Sequence, residues 1–305
     1  MGWGVRGFLR WLLRVVIVSL VVLLLALCVV YWRSSGLLAA KIDVREAALP
    51  IPADAEAIER GKHLAITRGC SDCHGADFAG KMVVDVLPVG RIAGPNLTRG
   101  KGGLPADFKP EDWERAIRHG VAPDGRMLVV MPTRDYAALT DADTADLIAF
   151  LQQVPAVDRQ EPAIAVGPIP RLQMLIGLVP LAEARVVDQH AKHVAAMTPA
   201  PSVEYGRYLA HTCTGCHGEH FSGGRVPGLP PSFPAATNIT PDSTGGIGRW
   251  KKTDFYTAMR YGRRPNGTNI DPFMPWGVFK QMTDLELDAL WAYLQTQPGR
   301  PAGGR

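Results

Sequence analysis

Cysteine is scarce in this chain of 305 residues, with five in all. A shortage of that kind excludes a disulfide-stapled scaffold once four of the five are seen to lie in two short motifs. Net charge is small as well: 33 Lys and Arg stand against 29 Asp and Glu. The excess is the four arginines Arg6, Arg10, Arg14 and Arg33, which lie in or beside one apolar run with no acid among them. The rest of the chain is balanced, which removes the electrostatic ground for nucleic-acid binding. Long apolar runs are missing except for that one. Proline and glycine, by contrast, are plentiful (25 and 32) and point to loop-rich domains.

The two cysteine motifs are Cys70-Ser71-Asp72-Cys73-His74 and Cys213-Thr214-Gly215-Cys216-His217. C-x-x-C-H is the attachment signature of c-type haem. Two thiols three positions apart on a helical turn can each form a thioether to one haem vinyl group, and the adjacent imidazole reaches the iron as proximal ligand. Cys70, Cys73, Cys213 and Cys216 are therefore expected to attach two covalently bound haem c groups, with His74 and His217 as one axial ligand each. Cys28, the fifth cysteine, lies in the apolar run.

That run, Val15 to Trp32, is interrupted only by Ser19. It is about long enough to cross a bilayer and longer than a usual signal-peptide core. Arg6, Arg10 and Arg14 precede it while Arg33 alone follows closely, so the positive-inside rule puts the amino terminus in the cytoplasm. A cleaved signal peptide is the competing reading; Leu38 spoils the small-x-small pattern near Ala39 and Ala40. The expectation is an uncleaved single-pass anchor in a bacterial inner membrane, with the haem domains in the periplasm.

The chain then repeats itself. Cys70 matches Cys213, His74 matches His217, Met131 matches Met274 and Thr140 matches Thr283, all at a separation of 143 residues. Between them the separation falls to 142: Asn96 with Asn238, Thr98 with Thr240, Arg118 with Arg260, Gly120 with Gly262. Helices are predicted from near Asp54, from Pro110 to His119 and from Thr140, whose T-x-x-D opening reads as a capping box. The division expected is 1–33 cytoplasmic tip and transmembrane anchor, 34–53 tether, 54–155 first domain, 156–201 linker, 202–298 second domain and 299–305 tail. Within the linker, an apolar patch from Leu172 to Leu181 is too short and too interrupted to span a membrane. It reads as packing across the two domains or as a docking surface.

A six-coordinate iron needs a second axial ligand. The candidates are His63, His119, Met82, Met127 and Met131 in the first copy, and His211, His220, Met259, Met274 and Met282 in the second. Only Met131 and Met274 are matched, and both precede proline, which forces extended backbone at the methionine. They are the ligands expected. His63 aligns with Tyr208 and His119 with Tyr261, so those histidines do not repeat and read as packing or surface residues. With both axial positions filled the irons move electrons rather than do chemistry on a bound molecule.

Each copy resembles a class I c-type cytochrome domain, which implies an all-α fold: an N-terminal transmembrane helix followed by two tandem cytochrome c-like domains. In that family the proline carbonyl of a G-P-N-L loop accepts from the proximal histidine. Gly94-Pro95-Asn96-Leu97 matches, so the resemblance makes Pro95 and Asn96 supports of His74. The second copy has Ala236-Thr237-Asn238-Ile239, which puts Thr237 and Asn238 in that role with threonine in place of proline. The stretch from Thr237 to Trp250 is similar to the cytochrome c subunits of bacterial membrane-bound alcohol, aldehyde and gluconate dehydrogenases. What this implies is a non-enzymatic electron relay, either fixed to a dehydrogenase or shuttling between a quinol-oxidising complex and a terminal oxidase. No small-molecule substrate is expected. A dihaem peroxidase is the alternative, and it requires one iron able to lose its distal ligand.

Overall fold

The computed structural model describes residues 4–44 and 48–305. Residues 1–3, expected in the cytoplasmic tip, and residues 45–47, expected in the tether, lie outside the described residues. Helix α1, Val5–Leu38, contains the whole apolar run and extends past it at both ends. At 1.5 Å per residue it is about 50 Å long, and it is long and apolar enough to cross a membrane.

The first copy follows as α2 (Ala55–Thr67), α3 (Cys70–His74), strands β1 (Lys81–Val86) and β2 (Gly90–Gly94), then α4 (Pro110–His119), α5 (Thr133–Ala137) and α6 (Asp141–Leu151). Strand β3 (Ala165–Val166) and helix α7 (Pro168–Leu175) lie between the copies. The second copy is α8 (Val203–His217), α9 (Lys252–Tyr261), α10 (Trp276–Phe279) and α11 (Asp284–Gln295).

In both copies the opening helix crosses the closing one at a glycine. A Cβ on Gly61 would fall 1.9 Å from the Asp146 carbonyl oxygen of α6, and one on Gly206 would fall 1.9 Å from the Ala289 carbonyl oxygen of α11. Backbones that close leave no room for a side chain. Beside each crossing an aromatic pair repeats, Phe78 edge-on to Phe150 at 5.4 Å and Phe221 edge-on to Tyr293 at 5.8 Å. The fully buried Arg118 of α4 donates to the Leu139 carbonyl and to Asp141, fixing the start of α6. Arg260 of α9 repeats this with the Met282 carbonyl and Asp284 at the start of α11.

Two expectations need correction. The fold is mostly helical but not all-α, because β1 and β2 pair antiparallel from Lys81↔Gly94 to Val86↔Gly90 and β3 adds to β2 through Gly90↔Val166. The segment between His74 and Gly94, for which no element is predicted, holds a hairpin. Met82, Val83 and Val84 stand in a row in β1, and β2 is buried only at Ala93 and Gly94, so no clean alternation of polar and apolar residues marks the strands. The capping box at Thr140 forms by half: its hydroxyl accepts from the Asp143 N–H, while the Asp143 carboxylate accepts from Tyr208. The full box forms at Thr283, where Glu286 returns the bond to the Thr283 N–H at 2.6 Å.

The segment between the copies lies chiefly on the first. Its Val157 and Arg159 carbonyls accept from Asn96, its Leu181 carbonyl accepts from the Val130 N–H, and α7 packs on the end of α1. Gln173 reaches the second copy by donating to the Gly228 carbonyl at 3.2 Å.

Candidate haem-binding sites

Both pentapeptides sit on helical turns, but the turns are built differently. In the second copy α8 starts at Ser202, whose hydroxyl accepts from the Tyr205 N–H, and runs unbroken through His217. The first copy has two more residues between its crossing glycine and its first cysteine. That surplus is absorbed by a break at Arg68 and Gly69, with Gly69 in the left-handed region at φ 77°. In either case the two thiols are i and i+3 and share a face.

His74 donates from Nδ1 to the Pro95 carbonyl at 2.9 Å, and His217 does the same to the Thr237 carbonyl at 2.8 Å. A carbonyl only accepts, so the proton is on Nδ1 and Nε2 keeps its lone pair. Burial pulls both imidazoles below their ordinary pKa, against the carbonyl's opposing pull. Threonine does here what proline does in the first copy, since the backbone carbonyl carries the bond. Asn96 and Asn238 hold these loops in place. Each accepts on Oδ1 from the N–H two residues on (Thr98 or Thr240), and each donates from Nδ2 to the chain beyond the closing helix.

Cys213, Cys216, His217 and Met274 line one predominantly apolar cavity of about 350 Å³, walled also by Ile239, Trp250 and Phe255. Two thiols, an imidazole and a thioether on one apolar cavity are the donor set of a c-type haem. In the first copy Cys70, Leu97 and Met131 pack on the core of Trp113, Ile117 and Leu147. Burial drives the Cys70 and Cys213 thiols up to about 12.

The Met-Pro positions share one geometry. Pro132 (φ −78°, ψ 66°) and Pro275 (φ −77°, ψ 52°) each centre an inverse γ-turn closed by a bond to the methionine carbonyl, from Thr133 N–H at 2.8 Å and Trp276 N–H at 2.7 Å. A short helix follows each turn. Of the rival ligands in the second copy, Met259 shares the cavity wall from α9, whereas His211, His220 and Met282 are not among its lining residues. In the first copy His119 is buried against Gln189, whose Oε1 is 2.8 Å from Nδ1.

The copies meet through residues that sequence reasoning set aside. His63 of α2 donates to Glu286 of α11 at 2.8 Å, and Tyr208 of α8 donates to Asp143 of α6. These are equivalent contacts, because Tyr208 aligns with His63 and Glu286 stands at the repeat separation from Asp143. Residues that differ in type thus agree in role, a signal visible only when alignment is read together with charge. Between the motifs lies Arg68, 7% exposed. It donates to the Leu209 carbonyl at 3.3 Å and to Thr212 Oγ1 at 2.7 Å, and it stacks 5.2 Å from the Tyr208 ring centroid. The Asp135 carboxylate lies 3.6 Å from where a Cβ on Gly215 would stand; burial and nearby Glu183 push it up to about 7.

Duplicated thiol pairs, oriented imidazoles and Met-Pro turns on a helical frame define a tandem c-type electron-transfer protein. Comparison with known sequences is in accord: the cytochrome c family pattern matches residues 58–155 and 203–298, and the chain belongs to the cytochrome c family. Covalently bound haem c follows from that membership. The gluconate 2-dehydrogenase cytochrome c subunit of Pantoea cypripedii is 32% identical over 68% of this chain and 51% of its own length. The fructose dehydrogenase cytochrome subunit of Gluconobacter japonicus is 34% identical over 38% of this chain and 26% of its own. A diheme cytochrome c-type protein of Cereibacter sphaeroides is 27% identical over 78% of this chain and 85% of its own. The chain thus spans about half or less of the first two relatives. Both of those relatives are named as cytochrome subunits of dehydrogenases.

Proposed function

We propose that this chain is a membrane-anchored dihaem cytochrome c relaying single electrons on the periplasmic side, as the electron-transfer subunit of a dehydrogenase. The observation that carries the reading is the duplicated site: thiol pair, imidazole held at Nδ1 and Met-Pro turn, in two copies joined by the Arg68–Thr212 bond. When bound, haem c supplies a one-electron iron couple in each domain. Cys70 and Cys73 would hold one such group, and Cys213 and Cys216 the other. Pro95 and Thr237 hold His74 and His217 by Nδ1, which leaves Nε2 of each free to serve as an iron ligand, and Met131 and Met274 would each supply a thioether. The soft thioether favours the reduced state, and the apolar walls exclude water.

The domain division at 54–155 and 202–298 belongs to this reading, as does the orientation with the amino terminus in the cytoplasm. The uncleaved anchor is supported by the way α1 continues beyond its apolar run and is held there by Arg171. The dehydrogenase partner is supported by the names of the relatives. Matched Met-Pro turns in both copies favour relay over the peroxidase alternative.

The test is purification of the tagged chain from its own membranes in mild detergent. A stoichiometric quinoprotein or flavoprotein dehydrogenase is the expected companion. Recovery with a quinol-oxidising complex and oxidase alone would make it a shuttle, and brisk peroxide turnover by the reduced protein would overturn the relay.

A further inference from the structure

The feature left unexplained is an apolar collar where α1 leaves its apolar run. That run ends at Tyr31 and Trp32, aromatic residues of the kind found at headgroup depth. Helix α7 is fastened there. Arg171 lays its guanidinium 4.6 Å from the Tyr31 ring centroid and donates to Ser34 Oγ at 2.7 Å and Ser35 Oγ at 3.1 Å. Arg171 is the only charged residue from Pro162 to Ala182. With its charge turned onto α1, the outer face of α7 carries none.

Instead that face carries Ile169 and Leu172, continued by the C-cap residue Ile176, at 45%, 48% and 67% exposure. Their spacing of i, i+3 and i+7 makes one stripe. The β1–β2 hairpin extends it. Val89 at its turn accepts from the Gly167 N–H at 2.8 Å, next to the start of α7, and Leu87 at the tip is 86% exposed with Val86 at 56%. Scattered apolar residues on a surface need no account, but a continuous set beside a membrane helix does.

We infer that the Ile169–Leu172–Ile176 face of α7 and the Val86–Leu87 hairpin tip are seated in the bilayer surface, a second membrane contact beside the α1 anchor. The inference rests on the proposed anchoring of α1, because it is α1 that fixes the depth of α7. The occupant follows from that depth: a helix pinned to the residues at the end of a membrane-crossing run lies in the interface plane, where an uncharged apolar stripe meets acyl chains. Exposed Arg33 and Arg185, the latter donating to the Leu37 carbonyl, stand at the same level for anionic headgroups.

The test is photolabelling of the full holoprotein in vesicles of phosphatidylethanolamine and phosphatidylglycerol carrying a diazirine on the acyl chain, with adducts located by mass spectrometry. Adducts are expected on α1, on α7 and on the hairpin tip. A Leu172→Glu, Ile176→Glu variant should lose those on α7 and keep those on α1. Adducts confined to α1 would leave the anchor standing and overturn the second contact. Adducts on neither would overturn both. Labelling of α7 in vesicles that vanishes in the native membrane would give the face to a protein subunit, and the lipid assignment would fall.

Discussion

His63 Nε2 stands 2.8 Å from Glu286 Oε2, so a helix of one haem domain is bonded to the closing helix of the other. Burial raises the Glu286 carboxyl, but the His63 bond and charge, with the Thr283 N–H and hydroxyl, outweigh it and leave the pKa below the ordinary glutamate value of 4.5. A group depressed in the folded state contributes stability that is present above the unfolded pKa and is lost as pH falls through the folded one. His63→Ala should therefore cost about 1–2 kcal/mol at neutral pH. The gap between the thermal midpoints of wild type and variant should close as the pH is taken below 4.5. A gap that is flat with pH would mean that the contact contributes by packing alone.

Arg68 should act on both irons at once. It is almost fully buried, two residues before Cys70, and its donors go to neutral oxygens beside Cys213. A fixed positive charge favours the more electron-rich ferrous state. Arg68→Gln keeps donors for those oxygens and removes the charge, so both midpoint potentials should fall. The expected size is on the order of 1 kcal/mol per haem, about 40 mV for a one-electron couple. Spectroelectrochemical titration reads both; a shift at one haem only would confine the residue to that site.

Met131→Ala and Met274→Ala should each lower the potential of one haem and leave the covalent attachment intact, because the thioether is what raises it. Redox titration with a haem stain on a denaturing gel separates the two effects. Two unchanged potentials in either variant would remove that methionine as a ligand.

Gly206→Ala should destabilise the second domain by about 1–3 kcal/mol or more, since its Cβ would fall 1.9 Å from the Ala289 carbonyl oxygen. Gly177→Ala is the comparison: its Cβ would meet nothing within 4 Å, although its φ of 74° adds backbone strain of its own. Thermal unfolding followed at the haem band ranks the pair, and Gly206→Ala should be the worse.

What could be read from the chain beforehand was whatever repeats. The pentapeptides, the Met-Pro pairs, Asn96 with Asn238 and Arg118 with Arg260 recur at fixed separations, and each proves to hold the same place in both copies. The hairpin was hidden because Met82, Val83 and Val84 stand in a row, so Lys81–Val86 carries no regular polar–apolar alternation to detect. The contact between domains was hidden for a different reason. Histidine in one copy and tyrosine in the other look like drift, yet both donate to the acid at the repeat position on the opposite closing helix. Arg68 has no counterpart, and its partners come from chain about 140 residues away. Only folding brings them together.

The paired contacts His63–Glu286 and Tyr208–Asp143 have a consequence for assembly. The same patch of each domain faces its twin, so the contact is isologous and closes on itself. The chain is laid out as a homodimer whose two subunits have come to share one backbone, with the segment between them as the splice. A self-complementary patch is consumed by one partner. Any further domain or subunit must attach elsewhere, on a surface that the two copies do not use against each other.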